Sequence, residues 1–109
     1  MKPQTIVLAL SALAQESRLA LFRLLVRRGP EGYTPGEIGN KLDIVGPTLS
    51  FHLKALTAAG LVTVRRDGRH LYYSANLEQM DRLVGFLTEH CCSLASQGGA
   101  AACRPASRC

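Results

Sequence analysis

Apolar residues recur at helical spacing along most of this chain, and one stretch alternates instead. The first apolar run, TIVLALSALA, predicts a helix over about Gln4 to Ala14. A second helix is expected from about Gln15 to Arg28, with Leu19, Phe22, Leu25 and Val26 at helical spacing and Arg18, Arg23, Arg27 and Arg28 on its rim. Gly29-Pro30-Glu31-Gly32 ends it, since proline cannot continue a helix and glycine favours a turn. Thr34-Pro35-Gly36-Glu37 is a start signal: Thr34 suits the N-cap, Pro35 the first helical position, and Glu37 the reciprocal place in a capping box. The short helix that follows, to about Leu42, buries Ile38 and Leu42.

Gly46-Pro47 opens a further helix, which runs to Ala59 and stops at Gly60. At about 100° per residue its inward face is Leu49, Leu53 and Leu56. Pro47, Phe51, Lys54 and Ala58 fall on the opposite face, with Thr48 and Ser50 on its shoulders. Two helices joined by a short turn, the second with such an outer face, are the parts of a helix-turn-helix. From Leu61 to Tyr73 the pattern alternates. Asp67-Gly68 there reads as a two-residue type I′ hairpin turn. That turn would pair Arg66 with Arg69, Arg65 with His70, Val64 with Leu71 and Val62 with Tyr73, leaving one apolar face and a basic tip. A last helix is expected from an N-cap at Asn76 to His90 or Cys91. Its apolar arc (Leu77, Met80, Leu83, Val84, Phe86, Leu87) spans about 180°, wide enough to pack on its own domain and on a partner. Beyond Cys92 the sequence turns small and loose. The chain therefore divides into a folded unit at 1–92 and a flexible cysteine-containing tail at 93–109.

Length confines these elements to one domain, because 109 residues fall short of the roughly 200 that a TIM barrel needs. So short a chain buries only about 65 % of its unfolded surface, which makes dimerisation an expected way to complete the core. A hydrophobic fraction of 47 % with 19 % charged residues excludes disorder. Thirteen Lys and Arg against eight Asp and Glu leave +5, which favours an anionic partner. No run of 18 apolar residues is present to span a bilayer, so no membrane partner is expected. Lys2 and the apolar run ending Ala12-Leu13-Ala14 look like a weak secretory signal. A first helix that packs in a dimer explains the same residues, and a cytoplasmic protein is expected. All four cysteines (Cys91, Cys92, Cys103, Cys109) lie in the last nineteen residues. A disulfide framework would spread them through the fold, so the cluster reads as a soft-ligand site in a reducing compartment.

In order and spacing, the whole set resembles the ArsR/SmtB family of winged-helix metalloregulatory repressors. The resemblance is carried by Leu10 to Ala14 with Ser17-Arg18-Leu19 and Leu24-Leu25, by Thr34 to Ile38, and by Leu49-Ser50-Phe51-His52-Leu53-Lys54-Ala55-Leu56 followed by Ala59-Gly60-Leu61-Val62. Arg66-Asp67-Gly68-Arg69 and Tyr72-Tyr73 resemble the family's wing. It implies a mainly α fold with a β-hairpin wing, a homodimer through the first and last helices, and an operator that is released when a toxic metal or metalloid binds.

The nucleic-acid reading also follows from the residues. A helix in the major groove offers side chains from its N-terminal half to base edges and its first amides to phosphate. Here that end carries Pro47, Thr48, Ser50 and Phe51: two hydroxyls for hydrogen bonds and a ring for a thymine methyl. Lys54 is placed for a phosphate. Arg65, Arg66 and Arg69, with His70 beside them, would supply sequence-independent contacts to double-stranded operator DNA. His52 flanks the buried stripe and is expected to be packed and hydrogen-bonded instead of touching a base.

Two sensor sites of the family are absent. Residues 34–43 hold no cysteine for a site on the positioning helix, and in the last helix Asp81 is accompanied by Leu83 where a histidine is wanted, leaving only His90. Cys91-Cys92 with a third cysteine resemble the arsenic-responsive repressors, which implies a three-thiolate As(III) site from Cys91, Cys92 and Cys103 or Cys109. The chemistry is consistent, As(III) being a soft acid suited to soft thiolates. Adjacent residues on a helix point about 100° apart, so convergence requires the helix to end there. On the helical wheel, Cys91 falls within the arc of Val84 and Leu87, near the expected dimer seam. Methylarsenite, antimonite, a Cys₄ site for zinc or cadmium, and reversible thiol oxidation stay open as alternatives. No organic cofactor is expected. An enzyme or metallochaperone is disfavoured, because acidic residues are sparse and neither a Ser-His-Asp set nor a Gly-rich phosphate loop occurs.

Overall fold

The computed structural model describes residues 1–95. Five helices and one two-stranded hairpin follow in the order α1 (Pro3–Leu13), α2 (Glu16–Arg28), α3 (Pro35–Leu42), α4 (Gly46–Ala58), β1 (Val62–Asp67), β2 (His70–Ala75) and α5 (Leu77–Thr88). This is the mainly α arrangement with a wing that the pattern predicts. The tail expected from residue 93 lies, from residue 96 onward, outside the described residues.

Local chemistry fixes most helix ends. Gln15 caps α2 by accepting from the Arg18 amide at 2.9 Å. Thr34 and Glu37 form the expected capping box: the Glu37 amide donates to Thr34 Oγ1 at 3.3 Å, and the Thr34 amide donates to Glu37 Oε1 at 2.9 Å. The Thr34 backbone bond, foremost, holds the Glu37 carboxyl below the usual glutamate range. Asn76 caps α5 from the Gln79 amide, and its side-chain amide also donates to the Gly60 carbonyl at 3.0 Å, pinning the end of the wing to the end of α4.

The core draws Ile6, Ala9 and Ala12 from α1, Leu21, Phe22 and Leu25 from α2, Ile38 from α3, and Leu49, Leu53 and Leu56 from α4. Ala59, Leu61, Val62 and Leu83 complete it. Two expectations shift. Leu42 of α3 is half-buried, packed against the core and not part of it. The buried stripe of α2 is centred on Leu21, whereas Leu19 is exposed. Apolar residues run almost all round α2, so periodicity alone could not choose its inward face. Its second apolar side, with Leu19, Phe22 and Val26, lines a groove shared with Met80 and Leu83 of α5.

No single helix among the described residues is long and apolar enough to cross a membrane; α1 and α2 reach that apolarity only as a pair bent by 101°. Both pack into the core instead. Each terminal helix also keeps an uncovered apolar side: Val7, Leu8 and Leu10 on α1, and Leu77 and Leu87 on α5.

Candidate nucleic-acid interface

The turn between α3 and α4 is tight. Asp43 takes the left-handed conformation (φ 54°), which Asp tolerates better than most residues. The Ile44 amide donates back to the Gly39 carbonyl at 3.1 Å. A Cβ at Gly39 would lie 3.1 Å from the Ile44 carbonyl oxygen, so the close approach of turn and helix favours glycine there. Val45, at the N-cap of α4, provides no side-chain bond, which leaves the first amides of that helix without a side-chain partner. Leu49, Leu53 and Leu56 are buried as expected, and Pro47, Thr48, Ser50, Phe51, Lys54 and Ala58 are exposed on the other side. Phe51 is 61 % exposed on this side.

The wing forms, but its register differs from the expected one. Asp67 pairs with His70, Arg66 with Leu71, Arg65 with Tyr72, Val64 with Tyr73 and Val62 with Ala75. The two turn residues are therefore Gly68 and Arg69, not Asp67 and Gly68. Gly68 has φ 64° and Arg69 is not left-handed, the pattern of a type II′ turn with glycine first. A slip of two residues preserves the faces, so Val62, Val64, Leu71 and Tyr73 still share one side. That side and α4 enclose a groove of about 490 Å³ lined by Ser50, Lys54, Thr57, Val64 and Tyr73. The wing also has a contact that nothing local announces. Tyr33 forms a bridge to Tyr73, with amide-to-carbonyl distances of 2.9 and 2.8 Å, tying β2 to the loop before α3.

The three wing arginines are not equivalent. Arg65 lies on the opposite face and is engaged. It donates to the Glu31 carbonyl at 3.0 Å, stacks 4.8 Å from the Tyr72 ring centre and sits 3.8 Å from the Asp67 carboxylate. Arg66 and Arg69 are exposed at the tip and form no ion pair among the described residues. His70 is exposed beside Tyr72.

His52 is packed and hydrogen-bonded, as expected. It is 6 % exposed, and its Nδ1 accepts from Arg18 Nε at 3.2 Å. Burial pushes its pKa below the ordinary value of 6.5, and the Arg18 charge pushes in the same direction. The unfolded chain thus takes up a proton at a higher pH than the folded one does. The stability this histidine contributes is present above pH 6.5 and is lost as pH falls through the folded value. Urea denaturation is expected to show a lower midpoint at pH 5.5 than at pH 7.5, with the gap narrowed in His52→Gln.

At the far end of α5 the helix stops earlier than the sequence suggests. Thr88 Oγ1 donates to the Val84 carbonyl at 2.9 Å and to the Gly85 carbonyl at 3.3 Å, occupying acceptors of the last turn. A chain of short-range turn bonds follows: Glu89 to Phe86, Cys91 to Thr88, Ser93 to His90 and Ala95 to Cys92. His90 and Cys92 have positive φ (60° and 59°). Cys91 is accordingly outside the helix and exposed, and its placement on the apolar arc with Val84 and Leu87 does not hold. Past the end of the helix the Cys91 and Cys92 sulfurs stand 3.7 Å apart. Among the described residues no three His, Cys, Asp or Glu side chains cluster as a metal site, and the expected third ligands Cys103 and Cys109 lie outside those residues.

Residues 13–65 match a family described as a helix-turn-helix domain. The chain is 44 % identical over 77 residues to the uncharacterized HTH-type transcriptional regulator YceK of Bacillus subtilis, covering 70 % of this chain and 76 % of that protein. It is 30 % identical over 92 residues to the arsenical resistance operon repressor of the same bacterium, covering 84 % of this chain and 83 % of the repressor. The chain belongs to the ArsR family. A probable mercury resistance operon repressor of Streptomyces lividans is 35 % identical over 82 residues, 75 % of this chain and 63 % of that one. Two solved structures share the winged fold. NolR of Sinorhizobium fredii has a TM-score of 0.64 at 32 % identity, over 82 % of this chain and 92 % of its own. The homodimeric winged helix-turn-helix domain Mb0332 of Mycobacterium bovis has a TM-score of 0.63 at 26 % identity, over 80 % and 81 %.

This ArsR-family chain is therefore a DNA-binding transcriptional regulator and not an enzyme. Sequence reasoning linked neither Arg18 to His52 nor Tyr33 to Tyr73. Arg18 read as a rim arginine, and its partner lies 34 residues away, so no local spacing links the two.

Proposed function

We propose that the protein is a homodimeric repressor that leaves operator DNA when trivalent arsenic binds Cys91, Cys92 and a third thiolate, Cys103 or Cys109. The 3.7 Å approach of the two sulfurs just past α5 carries this reading. Once Cys92, which is disulfide-bonded in this structure, is reduced, the pair offers a soft acid two soft ligands without bending a helix, and a third cysteine from the 93–109 tail completes the set. Thiolates of this kind persist in a reducing cytoplasm.

In this reading α4 enters the major groove, with Thr48, Ser50 and Phe51 toward base edges and the amides beside Pro47 toward a phosphate. Lys54, Arg66 and Arg69 meet the backbone, while Arg65 braces the wing against the Glu31 loop. The uncovered apolar sides of α1, which carries no charged residue, and of α5 meet their equivalents in a second copy. Closing a ring on Cys91 and Cys92 would fix the 89–95 turns beside exposed Leu87 and so shift the angle between the two DNA-binding heads. A 100-fold loss of operator affinity requires only about 2.7 kcal/mol of coupling.

Native mass spectrometry of the fully reduced protein with arsenite tests the reading. The expected species is a dimer with one arsenic and three lost protons per chain. Cys91→Ser combined with Cys92→Ser is expected to abolish the adduct and to leave operator bound in arsenite. Unchanged release by that variant would sink the proposal. Release by cadmium or peroxide without an arsenic adduct would assign the same cysteines to a divalent soft metal or to oxidation.

A further inference from the structure

We infer that Arg18 of α2 is part of the DNA-contacting surface, a phosphate ligand held in place by His52 of α4. The inference rests on α4 being the groove-reading helix. Arg18 Nε donates to His52 Nδ1 at 3.2 Å, and the guanidinium carbon lies 5.3 Å from the ring centre of Phe51. Phe51 is 61 % exposed on the outer side of α4, so the guanidinium sits at the edge of the face assigned to DNA.

The state of this arginine calls for an anion. A guanidinium has five N–H donors in a planar fork. One of them is used here, and Arg18 forms no ion pair among the described residues. A partly buried arginine stacked on an aromatic ring, with most of its fork unused, is shaped for the bidentate geometry of a phosphate. Arg28 provides the contrast within the same helix: it donates to the Gly32 carbonyl, pairs with Glu31 and stacks on Tyr33.

His52 decides where the fork points. Accepting at Nδ1 requires the neutral ring with its proton on Nε2. A second proton would remove the acceptor lone pair and set two positive charges side by side. Of the elements packed against α4, α1 carries no charged side chain, and among the charges of α2, α3 and β1 Arg18 is the one that acts on His52. Acidification should therefore release Arg18 and weaken DNA binding.

Fluorescence anisotropy with the full chain tests this, using a duplex that the wild type selects from a random pool, at 0.05–0.3 M KCl. Arg18→Gln is expected to bind about fivefold more weakly per chain at 0.15 M salt and to lose about 0.9 of salt slope per chain. Arg18→Lys should keep most of the slope. From pH 7.5 to 5.5 the wild type should lose affinity, whereas His52→Gln, whose amide oxygen still accepts from Arg18, should lose less; His70 and His90 are common to both. An unaltered salt slope in Arg18→Gln overturns the phosphate contact. Identical pH profiles for wild type and His52→Gln overturn the positioning role, and that arm decides alone if Arg18→Gln does not fold. Ser50→Ala separates the two levels: a loss there with none in Arg18→Gln overturns this inference only, and no loss in either overturns the α4 reading as well.

Discussion

Replacing Gly32 by Ala is expected to lower stability by about 2–4 kcal/mol, a large share of the 5–15 kcal/mol that holds a domain folded. Two effects add. Gly32 has φ 72°, where a Cβ costs about 1–2 kcal/mol in any L residue. The added Cβ would also lie 2.6 Å from the Tyr73 carbonyl oxygen, and the atom it meets is backbone, which cannot swing aside. That carbonyl accepts from the Tyr33 amide at 2.9 Å, so relief of the clash breaks the bridge joining the wing to the α2–α3 loop. Thermal unfolding should move down by about 8–32 °C, from roughly 4–8 °C per kcal/mol for a domain of this size. Gly68→Ala is the control. Gly68 has φ 64° but nothing within 4 Å of its Cβ position, so it should show the strain alone. Equal losses in the two variants would remove the clash from the explanation.

That bridge marks where sequence reading stops. Element order, the capping box, the inward stripe of α4 and the apolar face of the wing were all legible, because each is written in residues a few positions apart. The register of the wing was not. Asp67-Gly68 and Gly68-Arg69 are both acceptable turn pairs, and a two-residue slip leaves every side chain on the same face, so alternation cannot tell them apart. Gly32 read as a simple turn residue, and the reason it is glycine lies 41 positions along, at Tyr73. The end of α5 was misjudged because apolar spacing continues through Leu87, while the backbone leaves the helical region at Glu89 (ψ 132°) and His90 (φ 60°), which apolar spacing does not encode. Of the residues exposed on the outer side of α4 and on the wing, those on α4 followed from one helical period. Those on the wing needed the third dimension: Arg65 is adjacent to Arg66 in sequence, yet it faces Glu31 and Tyr72.

This difference between neighbours predicts a large and selective effect. Arg66→Gln combined with Arg69→Gln is expected to weaken operator binding by about 30-fold for one chain and approaching 1,000-fold for a dimer. The estimate takes two phosphate contacts per chain, each adding about 0.9 to the salt slope and so about fivefold in affinity at 0.15 M salt relative to 1 M. The slope of log affinity on log salt should fall by about 1.8 per chain. Folding should be untouched, since both side chains are exposed and unpaired among the described residues. Arg65→Gln should behave in the opposite way. Its guanidinium is spent on the Glu31 carbonyl and the Tyr72 ring, so the salt slope should change by less than about half a unit. What it should lose is the bracing of the hairpin, seen as faster amide hydrogen exchange in β1 and β2. A loss of salt slope in Arg65→Gln equal to that of either tip arginine would place all three on the phosphate backbone and dissolve the distinction between tip and brace.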